Sequence, residues 1–366
     1  MDIEPRFWVL IIGFFLGLVA GFAARAAMFC TLGAIADVVV VGNHRRMRGW
    51  ALALAVALIG SQTLHHLGVV DLGQSIYLSA PFNGLVTLLG GWLFGLGMAL
   101  VGTCGFGTLI RLGGGDLRSL IDMACLGFFA YLTLSGPIAY LRVYAAEATD
   151  LALPGLAEPG LVDALSYLSG LPAIDLRLIL AALIGAALLL YSLKDRQLRA
   201  RPQELAAALA IGTLIPLGWL TTGLIGQDPF DPEPLRSLTF VRPIGETFLY
   251  MMLMSGMAPT FGMATVVGVL AGAFVAARAK GQWRIEGFDG EREMARHLGG
   301  AALMGIGGVL ALGCTIGQGL SAMSVLALAT PVALVGIFLG AAFGLRYLEE
   351  GNVRSALRVL AGRSPS

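Results

Sequence analysis

The chain has 366 residues, 57% hydrophobic and only 13% charged, with 24 basic against 23 acidic side chains and a formal net charge of +1. An average soluble domain carries about 25% charged residues, and a mean hydropathy of +0.81 leaves too little polar surface to coat a water-soluble particle. The composition therefore points to an integral membrane protein in contact with membrane lipid, and the balanced charge excludes nucleic acid as a partner.

No GxxxxGK[ST] phosphate loop occurs, so the chain is not an ATPase by itself. There is no HExxH sequence and no Cys/His cluster at metal-ligand spacing, so neither a metal nor another cofactor is expected. Glycine, with 51 residues, stands at twice its usual share of about 7%; in a bilayer it lets helix backbones approach closely.

A span takes roughly 20 apolar residues. On that basis the chain offers nine candidates: 7–28, 50–68, 84–103, 119–140, 177–193, 205–222, 247–277, 298–314 and 322–345. The first apolar run, Phe7 to Phe22, has no basic region before it and no small-residue cleavage site after it, and reads as a first span rather than a removed signal. The expected fold is an all-α polytopic membrane protein, one integral membrane transport domain over 1–366. It should hold about nine transmembrane helices plus short broken or re-entrant helices.

Most Lys and Arg fall in segments 43–49, 111–118, 194–204, 278–297 and 346–366. Connections 69–83, 141–176 and 223–245 are poor in them and carry Glu147, Asp150, Glu158, Asp228 and Asp231. The positive-inside rule then places the N-terminus outside and the C-terminus in the cytoplasm. The long connection 141–176 is expected to cap the outer face, and 278–297 and 350–362 to form short inner surface helices.

Several apolar stretches are interrupted by Gly, Pro and small polar residues: MFCTLGAI, VGTCGFGTLIRLGGG, SGMAPTFGMAT and LGCTIGQGLSA. Irregular backbone at membrane depth is tolerated only where it is buried in protein or lines a cavity, and broken helices mark binding sites in transporters. Three of the four cysteines sit at such breaks in one pattern: Cys30-Thr31-Leu32-Gly33, Cys104-Gly105-Phe106-Gly107 and Cys314-Thr315-Ile316-Gly317. Pro259-Thr260-Phe261-Gly262 repeats the phrase with Pro in place of Cys30. This suggests an internal pseudo-repeat of halves at approximately 7–140 and 240–345, with 177–222 as connecting spans. Cys125 lies in an unbroken run and reads as packing.

A half-helix that starts inside the membrane presents unpaired N–H groups and a positive dipole end, which suit an anion. A thiol there is a weak S–H donor to a soft acceptor. The glycine that follows clears space for a ligand to reach the backbone. Three such thiols would form a soft path for a sulfur-containing anion, whose oxygens would take the amides and the Thr31 or Thr315 hydroxyl. The residues leave two other readings open. One is a membrane thiol oxidoreductase, although such chemistry usually uses a close C-x-x-C pair and none is present. The other is a channel or transporter of a different small solute, with the thiols merely packed.

At these phrases, RAAMFCTLG (25–33), GTCGFG (102–107) and above all GCTIGQG (313–319), the chain resembles the YeeE/YedE family of bacterial inner-membrane sulfur transporters, over roughly 10–135 and 240–345. The resemblance implies an hourglass-like protein that takes up thiosulfate, with Cys104 as the central member of a relay flanked by Cys30 and Cys314. It implies no covalent change of substrate and no enzyme activity, and it suggests delivery to a small cytoplasmic sulfur-carrier protein.

Around the relay, Arg25, Thr31, Gly33, Gly107, Thr315, Gly317 and Gln318 are the candidate substrate-binding residues, with Ser321 beside them. Asp37 is expected to pair with Arg25, and Arg242 with Glu246. Arg111 is expected to set topology, His65 and His66 to sit at the interface, and Met251, Met252, Met254 and Met257 to pack between helices.

Overall fold

In the computed structural model, which describes residues 5–149, 160–170, 172–227, 233–352 and 355, the apolar runs are helices that end where glycine, proline or a cysteine motif interrupts them. The first group is α1 (Pro5–Ala27), α2 (Thr31–Ala36, prolonged by a π turn at Asp37–Val41) and α3 (Arg45–His66). A short α4 (Ile76–Ser79) leads to α5 (Gly84–Val101), α6 (Gly105–Gly113), α7 (Arg118–Leu134) and α8 (Pro137–Ala148). The middle holds α9 (Leu161–Ser169), α10 (Ala173–Leu193), α11 (Arg196–Arg199) and α12 (Pro202–Leu220). The last group is α13 (Val241–Leu253), α14 (Phe261–Ala279), α15 (Glu291–Leu310) and α16 (Ala329–Glu350). There is no β-strand among the described residues; the single parallel bridge Asp116–Glu286 joins two loops.

Glycine decides how these helices pack. Gly17 and Gly21 of α1 lie against the Thr265 and Val269 carbonyls of α14, and Gly268 and Gly272 of α14 lie against Phe14 and Leu18 of α1. The same mutual arrangement joins α5 and α16, where Gly91 and Gly95 meet Ala333 and Ile337, and Gly336 and Gly340 meet Leu88 and Trp92. In lipid there is no hydrophobic drive between helices, so this backbone-to-backbone contact holds the pairs together.

Seven helical stretches among the described residues are long and apolar enough to cross a bilayer, or eight if α7 and α8, bent by 55°, count as one span. The all-α membrane fold holds, with fewer continuous spans than the nine expected. Candidate 247–277 is not one helix: α13 ends at Leu253, a 3₁₀ turn covers Met254–Gly256, and α14 starts at Phe261. Pro259 cannot donate to a helical ladder, and the Thr260 side chain caps α14 by accepting from the Met263 N–H. Candidate 119–140 breaks at Gly136–Pro137, where α8 begins. In 322–345 the helix starts only at Ala329, after a π turn at Gly317–Ala322. Connection 141–176 is partly helical, since α8 runs to Ala148 and α9 covers 161–169. Asp150, Glu158, Asp228, Asp231 and most of 350–362 lie outside the described residues. Segment 278–297 starts in the last residues of α14, is irregular from Lys280 to Gly290, and enters α15 at Glu291.

The basic segments gather at one end of the molecule. Arg45 pairs with Glu204, Arg48 with Asp195 at 2.7 Å, Lys280 donates to the Ala26 carbonyl and Arg346 to the Val39 carbonyl at 2.9 Å. Asp195 also caps α11 through the Gln197 N–H, and that bond together with Arg48 holds its carboxyl below the usual carboxylate range.

Candidate functional site

The three cysteine breaks share one backbone device. Two residues before each cysteine the chain takes a left-handed turn, at Met28 (φ 52°), Gly102 (φ 78°) and Leu312 (φ 58°). Met28 and Leu312 do so without being glycine, a conformation that costs about 1–3 kcal/mol and collects at functional sites. The turn closes the preceding helix: the Phe29 N–H donates to Ala24 O at 2.9 Å and the Gly313 N–H to Gly308 O at 2.8 Å. Cys30 and Cys104 are extended (φ −141° and −92°) and serve as N-cap residues of α2 and α6.

At two of the three breaks the cysteine sulfur then caps the helix that follows: Cys30 Sγ accepts from the Gly33 N–H and Cys314 Sγ from the Gly317 N–H, each at 3.4 Å, whereas Cys104 makes no side-chain cap. Where the sulfur lone pair receives the backbone N–H, the S–H proton remains free to donate to a guest. The glycine three residues on lies against a polar side chain at each break. A Cβ at Gly317 would lie 2.5 Å from Thr239 Oγ1 and one at Gly107 would overlap Thr103 Oγ1, while one at Gly33 would lie 2.7 Å from the end of the flexible Arg46 side chain, which can move aside. At the fourth break Thr260 makes an i to i+3 cap of the same kind, its hydroxyl accepting from the Met263 N–H.

The breaks converge. Cys30 and Gly33 share one cavity with Thr103 and Gly107, which stand on either side of Cys104. Cys104 is 2% exposed, and Cys314 and Thr315 are fully buried. Thr315 Oγ1, one residue after Cys314, has no hydrogen-bond partner. Phe106, two residues after Cys104, stacks on Phe240 with ring centres 4.8 Å apart. All four cysteines are free. Cys125 stands apart, its thiol donating to the Leu298 carbonyl at 3.4 Å.

Two cavities approach this point. One of about 780 Å³ opens at the end where the basic segments gather; it is lined by Cys30, Gly33, Thr103, Gly107, Arg25 and Arg111, among others. The other, of about 150 Å³, is lined by Tyr77, Arg236, Thr239, Arg242 and Gly313, on connections 69–83 and 223–245. Neither cavity is lined by Cys104 or Cys314, but Thr103 and Gly107 border the first and Gly313 the second.

Several candidates have other duties. Thr31 Oγ1 accepts from the Trp50 indole at 3.1 Å. The Gln318 amide donates to Ala311 O and accepts from Thr330, and Ser321 donates to Leu238 O; both hold the break in shape. Asp37 pairs with Arg46 at 3.3 Å, not with Arg25, because the π turn carries it past α1 toward α3. Arg111 donates to the Gly102 carbonyl at 2.7 Å and ties down the left-handed turn. His65 meets the Val70 carbonyl and the Leu72 N–H at the end of α3. Met251, Met252 and Met254 face outward, about 70% exposed, instead of packing between helices.

The Arg242–Glu246 pair forms, at 2.7 Å, inside a larger network. Buried Glu246 also accepts from Thr260 at 3.2 Å and faces Arg236 at 3.6 Å, while Arg236 reaches Glu233 at 3.7 Å. Removing one partner of a buried ion pair costs about 3–5 kcal/mol, so Glu246→Leu should lower the thermal midpoint of the purified protein by several degrees, whereas a variant melting like wild type would show the network to be dispensable. Sequence reading missed Tyr77, Thr103, Thr239 and Arg236. Thr103 was visible beside Cys104; the others lie in connections with no repeated phrase.

The family model for sulphur transport matches residues 26–343, which takes in all four breaks. The chain belongs to the sulphur transport family. It is 26% identical over 348 residues to "Thiosulfate transporter TsuA" of Escherichia coli (strain K12), covering 91% of this chain and 93% of the relative. It is 25% identical over 336 residues to "Thiosulfate transporter TsuA" of Spirochaeta thermophila, covering 90% and 96%. As a member of this family, the protein is a multi-pass membrane transporter.

Proposed function

We propose that this sulphur transport family member carries thiosulfate, or a closely related inorganic sulfur anion, into the cytoplasm by passing it along Cys314, Cys104 and Cys30 without covalent change. It does so in a bacterial inner membrane, with the N-terminus outside, the C-terminus inside and the large basic vestibule opening to the cytoplasm. The observation that carries the reading is buried Cys104, whose neighbours Thr103 and Gly107 line the same vestibule as Cys30, while Gly313, beside Cys314, lines the second cavity.

A dianion cannot enter hydrocarbon without donors that replace its water. The soft terminal sulfur of thiosulfate meets each S–H in turn, and its oxygens meet the free Thr315 hydroxyl and the polar groups beside the glycines. Weak, repeated sites suit transport, because one tight site would retain the ion. The two relatives named thiosulfate transporters support the choice of substrate. The ion released at the basic end is taken up by a small sulfur-carrier protein.

Proteoliposomes given radiolabelled thiosulfate, sulfate or selenite test the reading. Saturable thiosulfate uptake that selenite and sulfate do not match is expected; equal uptake of sulfate would remove the role of the soft sulfur. Mass spectrometry of the thiols during turnover should find all four reduced, and an obligatory Cys–Cys bond would favour an oxidoreductase.

A further inference from the structure

The two cavities differ in charge balance. In the smaller one, Arg236 and Arg242 are both paired with Glu246, and Arg236 also faces Glu233. The larger vestibule is lined by Arg25, Arg46, Arg111 and Arg296, with no acidic side chain among the described residues that line it. Asp37 offsets Arg46 alone, at 3.3 Å. Arg111 is turned toward a backbone carbonyl, and Arg25 reaches only the Gln282 carbonyl, at 3.5 Å, while its Nε is buried without a partner. A recess of about 330 Å³ continues from the vestibule, sharing Arg25, Arg111 and Gln282 and adding Arg284. Its two acids, Asp116 and Glu286, are both held by Arg118, at 2.9 and 2.8 Å.

Several guanidinium groups without matching carboxylates, gathered in one concave space, form a site for a small multivalent anion. Guanidinium reads charge and oxygen geometry; it has no preference for a terminal sulfur. The relay thiols favour sulfur, and this chamber does not.

We propose that the arginine-lined vestibule is a holding site for small divalent oxyanions in general, so that sulfate or hydrogen phosphate on the basic face occupies the release position and slows entry of substrate from the other face. The proposal rests on the transport reading above and adds to it a brake applied from the receiving side. Sulfate and phosphate share tetrahedral oxygens and negative charge with thiosulfate, yet lack the soft atom needed to pass Cys104. They therefore fill the chamber without crossing.

The test uses right-side-out membrane vesicles containing the full-length protein, loaded with sulfate, phosphate or chloride at one ionic strength, with the initial rate of labelled thiosulfate uptake as readout. Internal sulfate or phosphate should slow uptake several-fold relative to internal chloride, and the same sulfate outside should have much less effect. In the double variant Arg25→Gln/Arg296→Gln the internal sulfate needed for half-inhibition should rise about tenfold or more, as expected when charge-assisted bonds to the anion are lost. Internal sulfate acting no more strongly than chloride, or equal inhibition from both faces, would overturn the proposal.

Equilibrium binding of labelled sulfate to purified protein separates this from failure of the transport reading. Wild type and Cys104→Ala should bind sulfate alike, and the arginine double variant should not. Absent thiosulfate uptake with intact sulfate binding would count against the transport reading alone; absent sulfate binding by wild type would count against the vestibule site.

Discussion

Replacing Cys104 by alanine is expected to lower thiosulfate uptake by about 10- to 100-fold while leaving the protein folded. In the proposed relay the buried thiol is the step between Cys314 and Cys30. A hydrogen bond to a charged group contributes about 1.5–3 kcal/mol, and about 1.4 kcal/mol in a barrier is tenfold in rate. The Thr315 hydroxyl remains beside the gap and should leave residual flux. Cys104→Ser should fall between, since a hydroxyl still donates but is a harder partner for sulfur. Cys125→Ala provides the control, because that thiol bonds to the Leu298 carbonyl away from the two cavities. Initial rates normalised to monodisperse protein decide the matter: wild-type uptake by well-expressed Cys104→Ala would end the relay.

The backbone around the relay explains why the motif has the form it does. A left-handed residue stops one helix, an extended cysteine follows, and at Cys30 and Cys314 the sulfur starts the next helix by accepting an N–H three residues on. The chain thus reverses its hydrogen-bond pattern within three residues and leaves the thiol at the turning point with its proton uncommitted. Thr260 uses the same cap with a hydroxyl, and there the neighbouring carboxylate is Glu246, which accepts from Thr260. That fourth break is tied into its own ion network of Glu246, Arg236 and Arg242.

Composition made the all-α membrane fold legible and the repeated phrases made the breaks between helices legible, because lipid exposure demands long apolar runs and broken helices demand Gly, Pro or capping residues. The exact helix ends were less legible. In 247–277 hydropathy continues across Pro259 and Thr260, so an apolar window reads one span where hydrogen bonding makes two elements. The partner of Asp37 was missed because a π turn shifts the register by a residue and carries the carboxylate to Arg46. Thr31 and Gln318 were read as ligands from their position beside cysteines, yet their polar atoms bond to Trp50, Ala311 and Thr330. Tyr77, Thr239 and Arg236 reach the site only through tertiary folding of the connections, and sequence spacing carries no record of that.

Gly340→Leu should abolish folded protein, and Gly340→Ala should already destabilise it. In most helices the second change would be neutral or helpful, since alanine is favoured over glycine by about 0.8–1.0 kcal/mol. Here a single methyl at position 340 would collide with the Trp92 carbonyl of the facing helix. A carbonyl in a helical ladder cannot rotate aside as a side chain can, so α5 and α16 must separate along the whole seam, and Gly91, Gly95 and Gly336 lose their close contacts with it. Overpacking costs about 1–3 kcal/mol even where side chains are able to adjust, which outweighs the propensity gain, and leucine adds bulk that the seam has no space to take. Gly299, on α15, has open space where its Cβ would be, so Gly299→Ala should melt at or slightly above the wild-type temperature. Size-exclusion profiles and thermal midpoints of the three variants, measured in one detergent, give the comparison; Gly340→Ala melting as high as Gly299→Ala would show that the seam between α5 and α16 is looser than the close backbone approach requires.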